Sequence, residues 1–391
     1  MIEWAAIPRT CFMRRTRVAL LAVLSCACLF FFVDRAAVRG LSAGSTTPKN
    51  LDLLERVINL VRNDYLEEKD PARTMEGAFR GLVNSLDAGC SYLNAESTAL
   101  FQARKGRPLL ETGLVINKRY GGFPLVVGLV ENSPAAKAGI EVGDSVAEID
   151  GRGTAAMSLA QANLHLDDTE ARPVSVKVLR DDKTLEFKLD RVALFPEPIS
   201  YKPLEGTGGI VRVFELTPAA ALEVKAKVAP SVRKQEKALV LDLRNCSGGD
   251  FEGARDMVNL FLSAESIGYF QVRGEAKETV AAPAPPALEK TRLIVWVNAA
   301  TIGPAEAVAG VLKDFGRAKV IGLTTPGLVG RSEFVPVEDG TSILITSGIF
   351  CLRSGSKLWE QGVEPDAKLE DLDASLDAYL DKTRNLLSTA D

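Results

Sequence analysis

The stretch from Arg292 to Gly330 most narrows what this chain can fold into. Leu293-Ile294-Val295-Trp296-Val297 is an unbroken apolar run rich in β-branched residues, the pattern of a strand covered on both faces. Asn298 to Gly303 reads as a turn. Pro304 suits a first helical turn, where its missing N–H costs nothing. Ala305, Val308, Ala309, Val311 and Leu312 then recur at helical spacing up to Phe315-Gly316, and Lys319-Val320-Ile321-Gly322 opens another strand. Strand, tight turn, helix and strand predict an α/β unit. An elbow of this shape is a common mount for a nucleophile, with a helix N-terminus at hand to stabilise an oxyanion.

The chain has 391 residues, 46% of them hydrophobic, which is material for two or three compact units. A net charge of −4 and a pI of about 5.5 argue against a phosphate-binding surface, so no nucleic-acid partner is expected. His165 is the single histidine. That removes Ser-His and Cys-His mechanisms that do not use it, and also His-rich metal sites. No cofactor and no metal are expected. Of the cysteines, Cys11, Cys26, Cys28, Cys90, Cys246 and Cys351, none has a zinc-knuckle context. Cys26 and Cys28 sit in an apolar segment, and the last three read as buried thiols without a disulfide.

Arg9, Arg14, Arg15 and Arg17 precede Val18 to Val33, sixteen residues without a charge. Residues 1–40 therefore read as a signal peptide or signal anchor. Inner-membrane association would run through residues 11–33, with the rest of the chain on the periplasmic, extracytoplasmic side. Residues 41–50 are a linker. Residues 51–108 form an N-terminal helical segment, in which Leu53, Leu54, Val57, Ile58, Leu60 and Val61 repeat at helical spacing and Met75, Ala78, Leu82 and Leu86 continue the pattern.

Residues 109–193 carry Thr112-Gly113-Leu114-Val115-Ile116, a turn leading into a strand. Successive N–H groups at the Gly113 turn would hold a carboxylate, and the strand would pair with an added peptide. Ser133-Pro134-Ala135-Ala136-Lys137-Ala138-Gly139-Ile140, Val142-Gly143-Asp144 and Ile149-Asp150-Gly151 follow, then a helix from Met157 and strands at Val174 to Leu179 and Thr184 to Leu189. This order resembles the PDZ domains of exported peptidases. His165 falls on the groove helix as an incidental residue. Residues 194–370 begin a β-α-β arrangement. Gly208 to Val213 and Ala238 to Leu243 read as strands around a helical Thr217 to Gln235. Asp242-Leu243-Arg244-Asn245-Cys246-Ser247-Gly248-Gly249 is a turn whose glycines let backbone N–H groups face a substrate carbonyl. Glu275 to Glu289 reads as an Ala/Pro-rich loop and Gly340 to Cys351 as strands. Residues 371–391 are a C-terminal helix and tail.

The elbow, the Asp242 to Gly249 turn and the closing Gly362-Val363-Glu364-Pro365-Asp366 together resemble the C-terminal processing (tail-specific) serine peptidases, PDZ-containing and S41-like, which use a Ser/Lys dyad. The resemblance runs from Leu51 to Asp366. It implies a multidomain α+β and α/β fold, with an N-terminal helical segment and a PDZ-like domain inserted before a crotonase-like α/β peptidase domain. The family's elbow reads roughly N-x-G-S/T-A-S-A-S-E. Aligned on Asn298 and Glu306, its nucleophile falls on Gly303. Aligned on Gly322 and Gly327, its lysine falls on Leu328, and the glutamine that usually follows falls on Ser332. Gly248 and Gly249 would be the oxyanion-like turn. Ser247 stands where proline is usual, and Asp250 would oppose the developing negative charge if its side chain pointed inward.

The chain is thus expected to be a degenerate family member, an exported pseudo-peptidase that binds polypeptide C-termini or a partner protein through Thr112, Gly113, Leu114, Val115 and Ile116. One alternative is an active serine-type endopeptidase with a displaced nucleophile, Thr301 or Ser247, and Lys313 or Lys319 as base. Another is a carrier of small apolar ligands in a cleft made greasier by Ile302, Leu328 and Val329.

Overall fold

A computed structural model describes residues 47–67, 70–194, 198–204, 209–233 and 238–388. The segment read as a signal or anchor lies outside the described residues. Among the described residues, no helix is long and apolar enough to cross a membrane. The chain divides into two compact units between Met75 and Glu76. In the first, the helix Thr47–Asp64 is amphipathic, with Leu51, Leu54, Val57 and Val61 on its surface.

The second unit holds the PDZ-like and peptidase-like regions. The PDZ-like sheet runs in the order Leu114–Asn117, Leu125–Leu129, Ser145–Ile149, Val174–Arg180, Lys183–Leu189, all antiparallel, so Leu114–Asn117 is an edge strand. Val146, Ile149, Val174, Val176 and Val178 alternate inward and pack against Ala162 and Leu166 of the helix Leu159–Leu166. That helix starts at a capping box. Ser158 Oγ accepts the Gln161 N–H at 3.1 Å, and Gln161 Oε1 accepts the Ser158 N–H at 3.1 Å.

The peptidase-like region is built on a six-stranded sheet in the order Ala367–Lys368, Ala318–Gly322, Leu293–Val297, Leu239–Asp242, Ile210–Val213, Ile199–Lys202. Its first five strands are parallel and the last is antiparallel. Leu293, Val295 and Val297 point into a large core shared with the helices Pro218–Arg233, Phe251–Asn259 and Pro304–Asp314. Ile294 and Trp296 point the other way, onto Tyr379 of the C-terminal helix Leu376–Ser388. Two covered faces explain why that strand has no polar position.

A second, antiparallel sheet contains Ser342–Leu352, Ala264–Val272, Glu278–Ala282 and Gly330–Pro336. Two sequence readings change here. The helical pattern from Leu51 to Arg104 is interrupted by the strand Ser91–Leu93, fully buried against residues 342–344. Its partner lies at the far end of the chain, so no local periodicity announces it. Within the Ala/Pro-rich Glu275 to Glu289, Glu278–Ala282 is an edge strand, because pairing with Ala264–Val272 outweighs weak local propensity. Cys90, Cys246 and Cys351 are buried free thiols.

Candidate functional site

The elbow follows the strand Leu293–Val297. Gly303 caps the helix Pro304–Asp314 with φ 63° and ψ −118°, a backbone that an L side chain adopts only under strain. A Cβ placed there would find only the Leu328 carbonyl oxygen nearby, at 3.7 Å. Gly303 itself carries no side chain, and the space beside it is open. Leu328 lies across from it and lines a cavity of about 570 Å³ together with Ala299, Thr325 and Gln361. The structure therefore brings together the two aligned positions, Gly303 and Leu328. Ser332 is elsewhere occupied, donating to the Gly89 carbonyl at 3.2 Å.

Glu306 holds this geometry, a part the sequence did not announce. It is fully buried. One oxygen accepts the Gly303 N–H at 3.0 Å and the Leu328 N–H at 2.8 Å; the other accepts the Thr325 hydroxyl and the Gly327 N–H, both at 2.5 Å. Burial pushes its carboxyl up, while these four donors pull it back. It pins the start of the elbow helix to the Thr325–Leu328 loop without using any reacting group.

The glycine turn is tied to the elbow. Asn298 accepts the Asn245 N–H at 3.0 Å and donates to Asn245 Oδ1 at 2.8 Å, while the Ile302 N–H reaches the Cys246 carbonyl at 3.0 Å. Gly249 has φ 108°, and a Cβ there would lie 2.1 Å from the Leu216 carbonyl oxygen, so only glycine fits. Asp250 does not point inward. It caps the helix Phe251–Asn259, accepting the Gly253 N–H at 2.7 Å, because a helix start is the nearest set of unpaired donors. The repulsion expected of an inward carboxylate is therefore absent.

The candidate displaced groups have other duties. Thr301 is fully buried; its hydroxyl donates to the Leu243 carbonyl at 2.9 Å and accepts the Asn298 N–H at 2.9 Å. Ser247 is exposed on the glycine turn. Lys313 donates to the Glu364 carbonyl and Lys319 pairs with Asp366 at 3.2 Å, both on the surface. Lys118, not singled out from sequence, is buried beside the cavity, and burial lowers its ammonium. Its donors go to the carbonyls of Gly122, Thr154 and Ala155, the last two at 3.1 Å, which suits a protonated structural cation rather than a base. Cys246 is fully buried, and burial pushes its thiol far up, which makes it inert.

The PDZ-like region reaches the elbow directly. Val115 and Val127 pack on Ala300, and Asn245 Nδ2 donates to the Leu129 carbonyl at 2.9 Å. Gly128 is obligatory there, since a Cβ would lie 2.5 Å from both Ala300 Cβ and Asn245 Oδ1. On the groove side, Gly113 has φ 85°, and a Cβ would meet Ser133 at 2.1 Å, so the Thr112–Leu114 turn also requires glycine. His165 is half-buried on the groove helix; burial and Arg152 lower its pKa.

The elbow, the glycine turn beside it and the PDZ-like region packed onto both make this a PDZ-containing protein that resembles the C-terminal processing peptidases. The family model for peptidase family S41 matches residues 208–369, and that for a PDZ domain matches residues 108–190. The chain is 24% identical over 374 residues to the carboxy-terminal processing protease CtpA of Bacillus subtilis, covering 95% of this chain and 80% of that protein. It is 26% identical over 333 residues to a carboxy-terminal-processing protease of Bartonella bacilliformis, covering 83% and 76%. Among solved structures it is similar in fold to a photosystem II D1 C-terminal processing protease, with TM-score 0.64 and 20% identity over 81% of this chain and 86% of that one. Residues 208–369 are thus similar to peptidase family S41.

Proposed function

We propose that this chain is an exported pseudo-peptidase that binds polypeptide C-termini through its PDZ domain and does not cleave them. One observation carries the reading: the elbow retains the strained backbone of a nucleophile site, and the residue there is Gly303. Leu328 opposite has no proton to accept or give. Nucleophile and base act as a unit, so loss of either removes most of the rate. Peptide capture is supported by the edge strand Leu114–Asn117, open to an added strand, and by the Gly113 turn at its start. Export is supported by the Arg-flanked apolar run Val18 to Val33.

The test is incubation of the protein lacking residues 1–40 with unfolded polypeptides ending in apolar residues, scoring binding and cleavage together. Binding without cleavage is expected. At pH 6, amidating the terminal carboxylate should weaken binding by roughly 1–3 kcal/mol, the scale of a lost charge-assisted contact. Equal affinity of acid and amide would exclude the carboxylate turn. The relatives are named proteases, so one outcome is decisive against inactivity: robust cleavage that disappears in Ser247→Ala would make Ser247 a displaced nucleophile.

A further inference from the structure

The groove helix Leu159–Leu166 has eight residues, too few to be stable alone in water. Its last carbonyls all have partners. That of Asn163 accepts the Asp167 N–H at 3.0 Å. Those of His165 and Leu166 accept from Arg191, each at 2.7 Å. That of Leu164 accepts from Arg104, which also donates to the Asp167 carbonyl at 2.7 Å. A guanidinium suits this place, because the end of a helix carries partial negative charge. The Arg104 side chain is only 10% exposed, so water does not readily replace it.

Arg191 belongs to the PDZ-like region and Arg104 does not. Arg104 ends the helix Ala95–Arg104, in the segment that precedes it. The start of the groove helix is tied to the same segment. Its N-cap Ser158 shares a hydrogen bond with Ser91 Oγ at 2.5 Å, and both residues are buried. Residues 91–104 are in turn fixed to the second sheet. Ser91–Leu93 pairs with residues 342–344, while Thr98 donates to the Leu93 carbonyl at 3.2 Å and shares a hydrogen bond with Ser342 Oγ at 2.8 Å. The exposed pair Arg152–Glu96, at 2.8 Å, adds little to this. The opposite wall of the groove, Leu114–Asn117, rests on the elbow through Val115 and Ala300. Each wall is therefore held by a different part of the chain outside the PDZ-like core.

We propose that Ser91 and Arg104 are positioning residues for peptide binding. They hold the two ends of the groove helix at a fixed distance from the strand Leu114–Asn117, which makes the N-terminal helical segment part of the reader. Both act through the helix. A wall fixed in advance spares the ligand the cost of ordering it, and a released helix end restores that cost. The coupling is reciprocal: a peptide that packs on the helix tightens residues 95–104 by the same free energy. This inference rests on the peptide-binding reading of the groove.

The experiment uses the protein lacking residues 1–40 and a fluorescent decapeptide with an apolar last residue. Arg104→Gln removes the charged donors and should weaken peptide binding about three- to tenfold, the scale of a charge-assisted hydrogen bond transmitted in part. Arg104→Lys keeps the charge and a donor and should recover part of that loss. Ser91→Ala should weaken binding about two- to threefold, the scale of one neutral hydrogen bond. In the parent protein, saturating peptide should slow amide exchange over residues 95–104, a segment outside the groove. An Arg104 that only stabilised the fold would move the unfolding midpoint and give no such peptide-dependent protection. Parent affinity in a folded Arg104→Gln or in Ser91→Ala, or exchange over residues 95–104 indifferent to peptide, overturns the positioning role and leaves peptide binding intact. If Arg104→Gln does not fold, Ser91→Ala and the exchange measurement decide. A parent protein that binds no peptide overturns the groove reading, and the positioning role with it.

Discussion

On the proposed reading, Gly303 and Glu306 separate two things that an active serine peptidase joins, the reacting group and the frame that aims it. Restoring Gly303→Ser requires a side chain at φ 63°, so the single change should cost about 1–3 kcal/mol of stability. Denaturant unfolding measures it. The Cβ itself has room, with its nearest neighbour at 3.7 Å. Adding Leu328→Lys should give weak hydrolysis of an activated ester that exceeds either single change, because the two groups contribute only as a pair. A double variant no better than Gly303→Ser alone would mean that position 328 does not face the elbow productively. Glu306→Gln replaces an oxygen that accepts N–H groups with an amide that donates. It leaves buried donors unmet and should destabilise by roughly 1–3 kcal/mol. Unchanged stability would show that the hub is dispensable.

The strand Leu114–Asn117 has three neighbours. Leu114 and Ile116 face the PDZ core, Val115 faces Ala300 in the elbow, and the outer edge is open to an added peptide strand. Gly128→Ala would drive a Cβ to 2.5 Å from Ala300 Cβ, so the PDZ sheet must lift away from the elbow. Amide exchange in residues 298–303 should speed up while the strand Val174–Arg180 keeps its protection; protection unchanged at the elbow would refute the wedge. These element-level features differ in how far sequence revealed them. The elbow, the glycine turn and the PDZ motifs are contiguous strings, so their turns and strands were readable. Ser91–Leu93, the Leu110–Asp168 bridge and the Lys118 cage depend on partners from other elements, and no local period encodes such pairings. Asp250 differs from these, because the helix it caps begins at the next residue and an Asp before a helix is a local capping signal.

At the scale of the whole molecule, two outcomes follow from charge and patterning. A reporter active only in the cytoplasm, fused at Gly40, should be silent; full activity would overturn export. Stability should also depend on Asp167, whose carboxyl titrates at about 7 in the folded protein and near 4 in an unfolded chain. The folded state holds that proton more tightly. This contribution is therefore complete below about pH 4 and lost as pH rises through about 7. Thermal unfolding at pH 5 and pH 8 should show the fall, and Asp167→Asn should flatten it. The shared wall at Val115 has a further consequence for how such a chain diverges over generations. A mutation that retunes which peptides the groove prefers also reshapes the turn below it, and a mutation that abandons the turn alters the groove. On the proposed reading, ligand preference and the geometry of the elbow are inherited as one trait, because Val115 serves both.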